Sequence, residues 1–145
     1  MSETTLNTPL GTTPFGLTAI DRFLRCVEQG TGFAAGVFAP GAVIDATVPN
    51  WRFRKEGAEA VGAELGSWFA APAVFEELRR VRLPGGELLE FALSWEEEGV
   101  PFACHQVHVL DIDPDSGAIT ADRIWCGGRW DAALLAEMEA AAHAG

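Results

Sequence analysis

The 145-residue chain has the length of one ordinary domain, and its 48% hydrophobic and 21% charged residues exclude a disordered protein. Its formal net charge of −11 opposes binding to a nucleic-acid backbone, which relies on clustered lysine and arginine. No apolar run approaches the roughly 20 residues that a membrane-spanning helix needs, so we expect a soluble protein without a membrane partner.

Cysteine usage and the first residues bear on the cellular compartment. The opening Met1 to Thr5 carry one acid and no base, and no apolar core follows a positive start, so we expect no secretory signal. Three cysteines are an odd number, and Cys26, Cys104 and Cys126 match the spacing of neither a disulfide framework nor a zinc ribbon. Free thiols and a cytoplasmic location are therefore expected.

The beginning of the chain predicts an arm and then a helix. Residues 1–17 are rich in Thr, Pro and Gly without an apolar period, which predicts a flexible arm before one domain at 18–145. From Thr18 the apolar residues fall at helical spacing, and Thr18 with Asp21 suits a capping pair. Gly30 ends this amphipathic helix.

The next segments predict a short helix and a strand. The apolar run from Phe33 to Phe38 is stopped by Pro40-Gly41, which indicates a second helix packed beside the first. Ala42 to Val48 is partly β-branched and predicts a strand, which leads into a loop carrying Trp51 and Phe53.

Three further patterns complete the chain. Apolar residues recur at helical spacing between Glu56 and Ala71, and Pro72 closes this helix. After Pro72 the period becomes two, and turn residues separate four strands of a predicted antiparallel meander: Val74–Leu83, Glu87–Glu97, Pro101–Ile112 and Ala118–Cys126. An Ala-rich segment from Asp131 to His143 predicts a C-terminal helix.

The hairpin from Ala103 to Trp130 concentrates the side chains that can carry chemistry. Side chains alternate between the two faces of a strand, and Leu110 and Ile112 indicate that the even-numbered face points inward. This inner face then holds Phe102, Cys104, Gln106, His108, Asp122, Ile124 and Cys126. His105 and Arg123 fall on the opposite face, so we expect His105 at the surface or an interface.

The order of these elements resembles the NTF2-like, or SnoaL-like, α+β cone that also houses ketosteroid isomerases and polyketide cyclases. The resemblance covers roughly Leu17 to Trp130 and rests on the segments VFAPGAVIDATV, GAEAV, VHVLDIDPDSGAIT and ADRIWCGG in this order. It implies N-terminal helices on a curved antiparallel sheet, a mostly apolar pocket between them, and a homodimer through the sheet's outer face. Val107 and Val109 would suit such a dimer surface. Many unrelated activities share this fold.

Laid against ketosteroid isomerase, the resemblance places His108 where that family has a pocket carboxylic acid that donates to an oxyanion. It places Asp122 at a pocket-lining position, and Asp45 one residue from the general-base aspartate. The chain contains no tyrosine, so the phenol that completes the family's oxyanion hole is missing, which argues against steroid isomerisation. Epoxide hydrolysis needs an Asp-Arg-Asp set inside, which Asp122-Arg123 does not supply because the two alternate faces.

Two interpretations of the inner face remain open. In an apolar cavity His108 could act as acid or base near neutral pH, with Asp122 or Asp45 orienting it or holding a water. Alternatively, His108 is a hydrogen-bonded core residue beside Gln106, and Asp122 pairs with a neighbouring arginine.

The remaining candidates concern ligands. Cys104 and Cys126 are soft metal ligands, but their spacing matches no metal motif, so we expect no metal, no other cofactor, and inert buried thiols. The aromatic side chains pack in most domains, yet in a cone they could line a flat apolar ligand. The predicted ligand-pocket set is Trp51, Phe53, Trp68, Trp95, Phe102, Cys104, Gln106 and Cys126.

Two functions of different classes follow. The first is a cofactor-independent isomerase, cyclase or hydrolyase that acts by proton transfer on a small hydrophobic carbonyl compound, with His108, Asp122 and Asp45 as catalytic residues. The second is a non-catalytic ligand-binding or dimerisation domain.

Overall fold

The computed structural model describes residues 18–144, so the arm predicted at residues 1–17 lies outside the described residues. Within them, three helices and seven strands follow in the order α1 (Ala19–Gln29), β1 (Phe38–Val48), β2 (Trp51–Glu56), α2 (Ala58–Trp68), β3 (Ala73–Leu83), β4 (Gly86–Glu97), β5 (Val100–Ile112), β6 (Ile119–Cys126), β7 (Trp130–Asp131) and α3 (Ala132–Ala144). None of these helices is long and apolar enough to span a membrane.

All seven strands belong to one mixed sheet. Its order is β2-β1-β6-β5-β4-β3, with β7 paired to β5, and β1 runs parallel to β6 while every other pair is antiparallel. Since β2 and β3 are two separate edges, the sheet does not close. The predicted α+β class is confirmed.

Helix α1 begins and ends as its sequence predicts. The Thr18 hydroxyl accepts a hydrogen bond from the Asp21 backbone N–H at 3.0 Å, and the Asp21 carboxylate accepts one from the Thr18 backbone N–H at 3.4 Å. Gly30 ends the helix at φ 70°, where a Cβ would lie 2.2 Å from the carbonyl carbon of Ala71. Only glycine fits this left-handed position against the neighbouring backbone.

The short helix predicted from Phe33 to Phe38 does not form, and β1 begins at Phe38 instead of Ala42. The sequence predicts a stop at Pro40-Gly41, but both residues lie inside β1, where its register with β6 shifts between Phe38 and Val43. A strand tolerates proline at such an irregularity, because the missing N–H would have no ladder partner there.

The segment after β1 is a second strand, not the predicted loop. β2 folds back on β1 with Val48 opposite Trp51, and Asn50 makes the turn at φ 64°. This pairing turns Trp51 to solvent, where it is 70% exposed, and Phe53 toward Trp68 of α2, at 6.3 Å between ring centroids.

The predicted meander of four strands is confirmed, with bounds shifted by one residue or not at all. Helices α1 and α2 cover one face of the sheet, with α1 against β3 and α2 against β1 and β2. The buried core between them includes Phe23, Leu24, Leu65 and Phe91. Helix α3 forms as predicted but buries none of its residues.

Candidate functional site

A cavity of about 440 Å³ lies between the end of α2 and the sheet. Its size is within the range of small-molecule pockets, about 300–1,000 Å³. It is lined by Val48, Pro49, Phe53, Ser67, Trp68, Phe69, Trp95, Cys104, Gln106, Cys126, Gly128 and Arg129. The wall thus combines the ends of β1 and α2 with inward-facing positions of β4, β5 and β6.

Aromatic rings form much of this wall. Trp68 contacts both Phe53 and Phe69 edge-on, with 6.3 Å between ring centroids in each pair. The indole N–H of Trp68 donates to the Glu64 carboxylate at 3.0 Å, which holds the ring in place. A rigid aromatic wall of this kind suits the apolar body of a ligand.

Gln106 is the most deeply buried polar residue of the cavity lining, with 3% of its surface exposed. Its amide nitrogen lies 3.5 Å from the sulfurs of both Cys104 and Cys126, and its amide oxygen lies 2.7 Å from Nε2 of His108. Strand register explains the meeting, because Gln106 pairs with Cys126 across β5 and β6. Gln106 is therefore the polar group at the floor of the cavity.

His108 and Asp122 form a fully buried pair behind Gln106. Nδ1 of His108 lies 2.7 Å from Oδ2 of Asp122, and both side chains are 0% exposed. The imidazole stacks on the Phe91 ring at 5.3 Å and meets the Phe23 ring of α1 at 5.5 Å. Neither residue lines the cavity. The predicted pair meets, but Gln106, which lines the cavity and contacts His108, lies between the pair and the cavity.

The hydrogen bonds of His108 determine the charge of this pair. The Gln106 amide oxygen can only accept, so Nε2 must carry a proton, and a second proton must lie between Nδ1 and Asp122. With these two protons the pair has a net charge of zero, as an imidazolium carboxylate or as a neutral imidazole and carboxylic acid. A neutral pair is the arrangement that apolar surroundings favour.

Burial also favours the neutral form of Asp122. It raises the pKa of this carboxyl above its ordinary value of 3.8, and the charge and hydrogen bond of His108 oppose that shift. The second oxygen, Oδ1, is buried and has no hydrogen-bond partner among the described residues. An ionised carboxylate would leave that oxygen uncompensated, so the net rise in the pKa has a structural cause.

We expect Asp122→Asn to change how stability depends on pH. Asparagine keeps the shape, and its amide can donate to Nδ1 while Nε2 still donates to Gln106. The native pair keeps two protons, whereas an ordinary histidine and aspartate in an unfolded chain together bind two between about pH 4 and 6.5 and only one above that range. With the raised pKa of Asp122, wild-type stability should therefore decline as pH rises above about 6.5. The variant lacks that loss, so its free energy of unfolding should decline less than that of the wild type. Urea unfolding across this pH range measures the difference, and parallel profiles would contradict the raised pKa.

The two thiols beside Gln106 are poor nucleophiles. Burial, with a smaller contribution from Cys126, raises the pKa of the Cys104 thiol to about 12, and burial raises the pKa of Cys126 as well. Both thiols therefore stay protonated at neutral pH. The thiolate is the form that reacts as a nucleophile or binds a metal. Among residues 18–144 no group of three or more His, Cys, Asp or Glu side chains is placed to hold a metal ion.

Asp45 does not join the other predicted catalytic residues, which corrects the expected set. It lies next to Arg123 in the register of β1 with β6, so it occupies the outer face, whereas Ile44 beside Asp122 occupies the inner face. Its carboxylate accepts two hydrogen bonds from Arg52, at 2.9 and 2.8 Å. This arginine, through its hydrogen bond and charge, lowers the pKa of Asp45.

The mouth of the cavity holds a group of interacting side chains that the sequence patterns did not indicate. The Arg129 guanidinium lies 4.6 Å from the centre of the Phe102 ring and donates to Glu97 at 2.8 Å. Glu97 also accepts from the Trp95 indole at 2.8 Å, and Trp95 stacks on Phe102 at 5.9 Å. The hydrogen bonds from Trp95 and Arg129, together with the Arg129 charge, lower the pKa of Glu97.

Six of the eight predicted ligand-pocket residues line the cavity: Phe53, Trp68, Trp95, Cys104, Gln106 and Cys126. Trp51 is corrected to an exposed position, and Phe102 packs behind Trp95 and Arg129 rather than in the lining. His105 lies at the outer face, 3.1 Å from the Glu90 carboxylate, as strand parity predicts. Strand parity could not find Pro49 or Ser67, because they lie outside the meander.

Comparison with known proteins bears on the fold. No protein-family model and no curated protein matches the sequence. A SnoaL-like protein from Shewanella putrefaciens is similar with a TM-score of 0.59 at 9% identity, over 84% of this chain and 83% of that chain. A steroid delta-isomerase from Pseudomonas aeruginosa has a TM-score of 0.54 at 15% identity, over 76% and 77%. SalBIII, an epoxide hydrolase/cyclase-like enzyme of pyran ring formation in salinomycin, has a TM-score of 0.55 at 18% identity, over 75% and 88%. Identities this low show a shared fold alone.

Proposed function

We propose that this chain, which has the NTF2-like (SnoaL-like) fold of these proteins, binds a small hydrophobic molecule in the cavity between α2 and the sheet. The observation that carries the proposal is Gln106, a buried amide at the floor of a cavity walled by aromatic rings. An apolar ligand body would contact Trp68, Phe69 and Trp95. A carbonyl or hydroxyl oxygen would accept a hydrogen bond from the Gln106 amide in place of one of the long hydrogen bonds that this amide donates to the Cys104 and Cys126 sulfurs. A few polar groups in an apolar cavity are the usual arrangement of ligand sites.

The lining favours binding over proton transfer. The lining residues within 18–144 include no imidazole and no carboxylate, and both lining thiols stay protonated at neutral pH. A general acid or base must reach the proton it transfers, directly or through one water. The buried His108 does not meet this condition, since Gln106 occupies its second nitrogen. We therefore place the binding function first.

Binding of the neutral fluorescent probe N-phenyl-1-naphthylamine tests this function. We expect the wild type to enhance probe emission and to show energy transfer from Trp68 and Trp95, which line the cavity. In Val48→Trp the larger side chain fills the end of the cavity, and the affinity should fall at least about tenfold, because a filled site leaves no room for the apolar contacts.

Val43→Trp is the matched control, since Val43 lies on the same strand but on the outer face with Asp45. It should bind the probe as the wild type does. Absence of probe binding by the wild type would contradict the function, and so would equal losses in the two variants.

A second candidate is a cofactor-independent isomerase, cyclase or hydrolyase acting on a hydrophobic carbonyl compound. The observation that favours it is the buried His108–Asp122 pair, which orients the Gln106 amide from behind. A preorganised donor at a substrate carbonyl stabilises the negative charge that develops there. His108 and Asp122 would then be positioning residues.

Two further expectations, about the assembly and the location of the protein, remain proposals. We propose that the chain forms a homodimer through the outer sheet face, where Trp125 is among the exposed large apolar side chains, and sedimentation of the purified protein would check it. We also propose a cytoplasmic location.

A further inference from the structure

We propose that the ligand of this cavity is an apolar carboxylic acid whose carboxylate binds Arg129 at the mouth. The inference rests on the proposed binding function and specifies the chemical class of the ligand. It follows from the charge, the exposure and the orientation of one side chain.

Arg129 is the single charged residue among the described residues that line the cavity. The chain as a whole carries a net charge of −11, with 21 acids against 10 bases. This positive charge differs in sign from most of the charged surface. Because Glu97 already pairs with it, an anion would be bound by the remaining N–H groups of the guanidinium.

The exposed Arg129 side chain lies at the mouth of the cavity, and the apolar wall lies deeper inside. The Arg129 side chain is 58% exposed, whereas Gln106 at the floor is 3% exposed. An anion bound at the mouth stays partly hydrated while its apolar body is buried. Such a ligand avoids the large penalty of taking a charge fully out of water.

Neighbouring side chains hold the guanidinium in a fixed place. It lies over the Phe102 ring at 4.6 Å, and its Nη2 donates to Glu97 at 2.8 Å, while Glu97 is held in turn by the Trp95 indole. A guanidinium has five N–H donors, and the hydrogen bonds of the described residues use one of them on Arg129. The planar fork can therefore bind a second carboxylate while it keeps Glu97.

Competition for bound N-phenyl-1-naphthylamine tests the inference with two matched ligands. Naphthalene-2-carboxylate and naphthalene-2-carboxamide share one ring system and differ in charge. We expect the carboxylate to displace the probe from the wild type at a roughly tenfold lower concentration than the amide, since charge-assisted hydrogen bonds to arginine are about twice as strong as neutral ones. Raising the ionic strength should weaken the carboxylate alone.

Arg129→Gln should remove the difference between the two ligands, with each ligand compared against the probe affinity measured on the same variant. Arg123→Gln is the matched control, because it removes the same charge from an exposed position on the outer face. Equal displacement by both ligands would overturn the inference, as would an advantage of the carboxylate that survives in Arg129→Gln or displacement by neither. In each of these outcomes the wild type still binds N-phenyl-1-naphthylamine. If the wild type does not bind the neutral probe, the proposed binding function itself fails.

Discussion

Replacing Arg80 with methionine should lower the free energy of unfolding by about 3–5 kcal/mol, because it leaves two largely buried carboxylates without their cation. Arg80 on β3 is 11% exposed, donates to Asp21 of α1 at 2.9 Å and makes two hydrogen bonds to Glu87 of β4. Burial alone would lower the pKa of Arg80, but the two carboxylates outweigh burial and raise it. This group attaches α1 to the sheet.

Arg79→Met is the matched control for this prediction. Arg79 is the preceding residue on β3, is 59% exposed and lies 3.6 Å from Glu90. Exposed ion pairs contribute about 0–1 kcal/mol, so this variant should unfold close to the wild type in urea. Equal urea midpoints for the two variants would contradict the assigned role of Arg80.

A triple variant separates the two causes of the loss. Adding Asp21→Asn and Glu87→Gln to Arg80→Met removes the uncompensated charges. We expect most of the lost stability to return, because breaking a buried ion pair is far more destabilising than replacing all of its members. If no stability returned, lost packing of the Arg80 side chain would explain the effect instead.

His108→Leu should also cost about 3–5 kcal/mol of stability, since it leaves the Asp122 carboxyl fully buried and unpaired. Combining it with Asp122→Leu should restore part of the loss, because the buried carboxyl without a hydrogen-bond partner is then absent. The restoration stays incomplete, since the Gln106 amide oxygen loses its donor. Urea unfolding of the two single variants and the double variant gives the coupling energy of the pair.

His105→Leu is the control for His108→Leu. His105→Leu changes a partly exposed side chain paired with Glu90, and we expect a change within about 1 kcal/mol. If His105→Leu and His108→Leu were equally destabilising, the buried pair would not have the role assigned to it.

The double variant also distinguishes the two candidate functions. If the cavity only binds a ligand, the folded His108→Leu/Asp122→Leu protein should keep its affinity for N-phenyl-1-naphthylamine within a few-fold. If the pair positions Gln106 for catalysis, a screen of aromatic ketones and lactones should show turnover by the wild type that this variant lacks. Turnover that persists in the variant would contradict a positioning role.

Much of the fold follows from local patterns. The capping pair of Thr18 and Asp21, the glycine at 30 and the four strands of the meander all form where the sequence predicts. The prediction fails at Pro40-Gly41, where a local stop signal lies inside β1. Pairing with β6 at Phe38 and again from Val43 onward overrides that signal, and this pairing joins residues far apart in the chain.

The sequence by itself determined which side chains share a face, because side-chain direction alternates along a strand. This period placed Gln106, His108 and Asp122 together and His105 apart from them. Only the tertiary structure decided how deep each one lies. Phe23 of α1 covers His108, the cavity ends at Gln106, and Arg129 reaches its mouth from beyond β6. Depth depends on which distant element packs over a strand, and strand alternation contains no information about that packing.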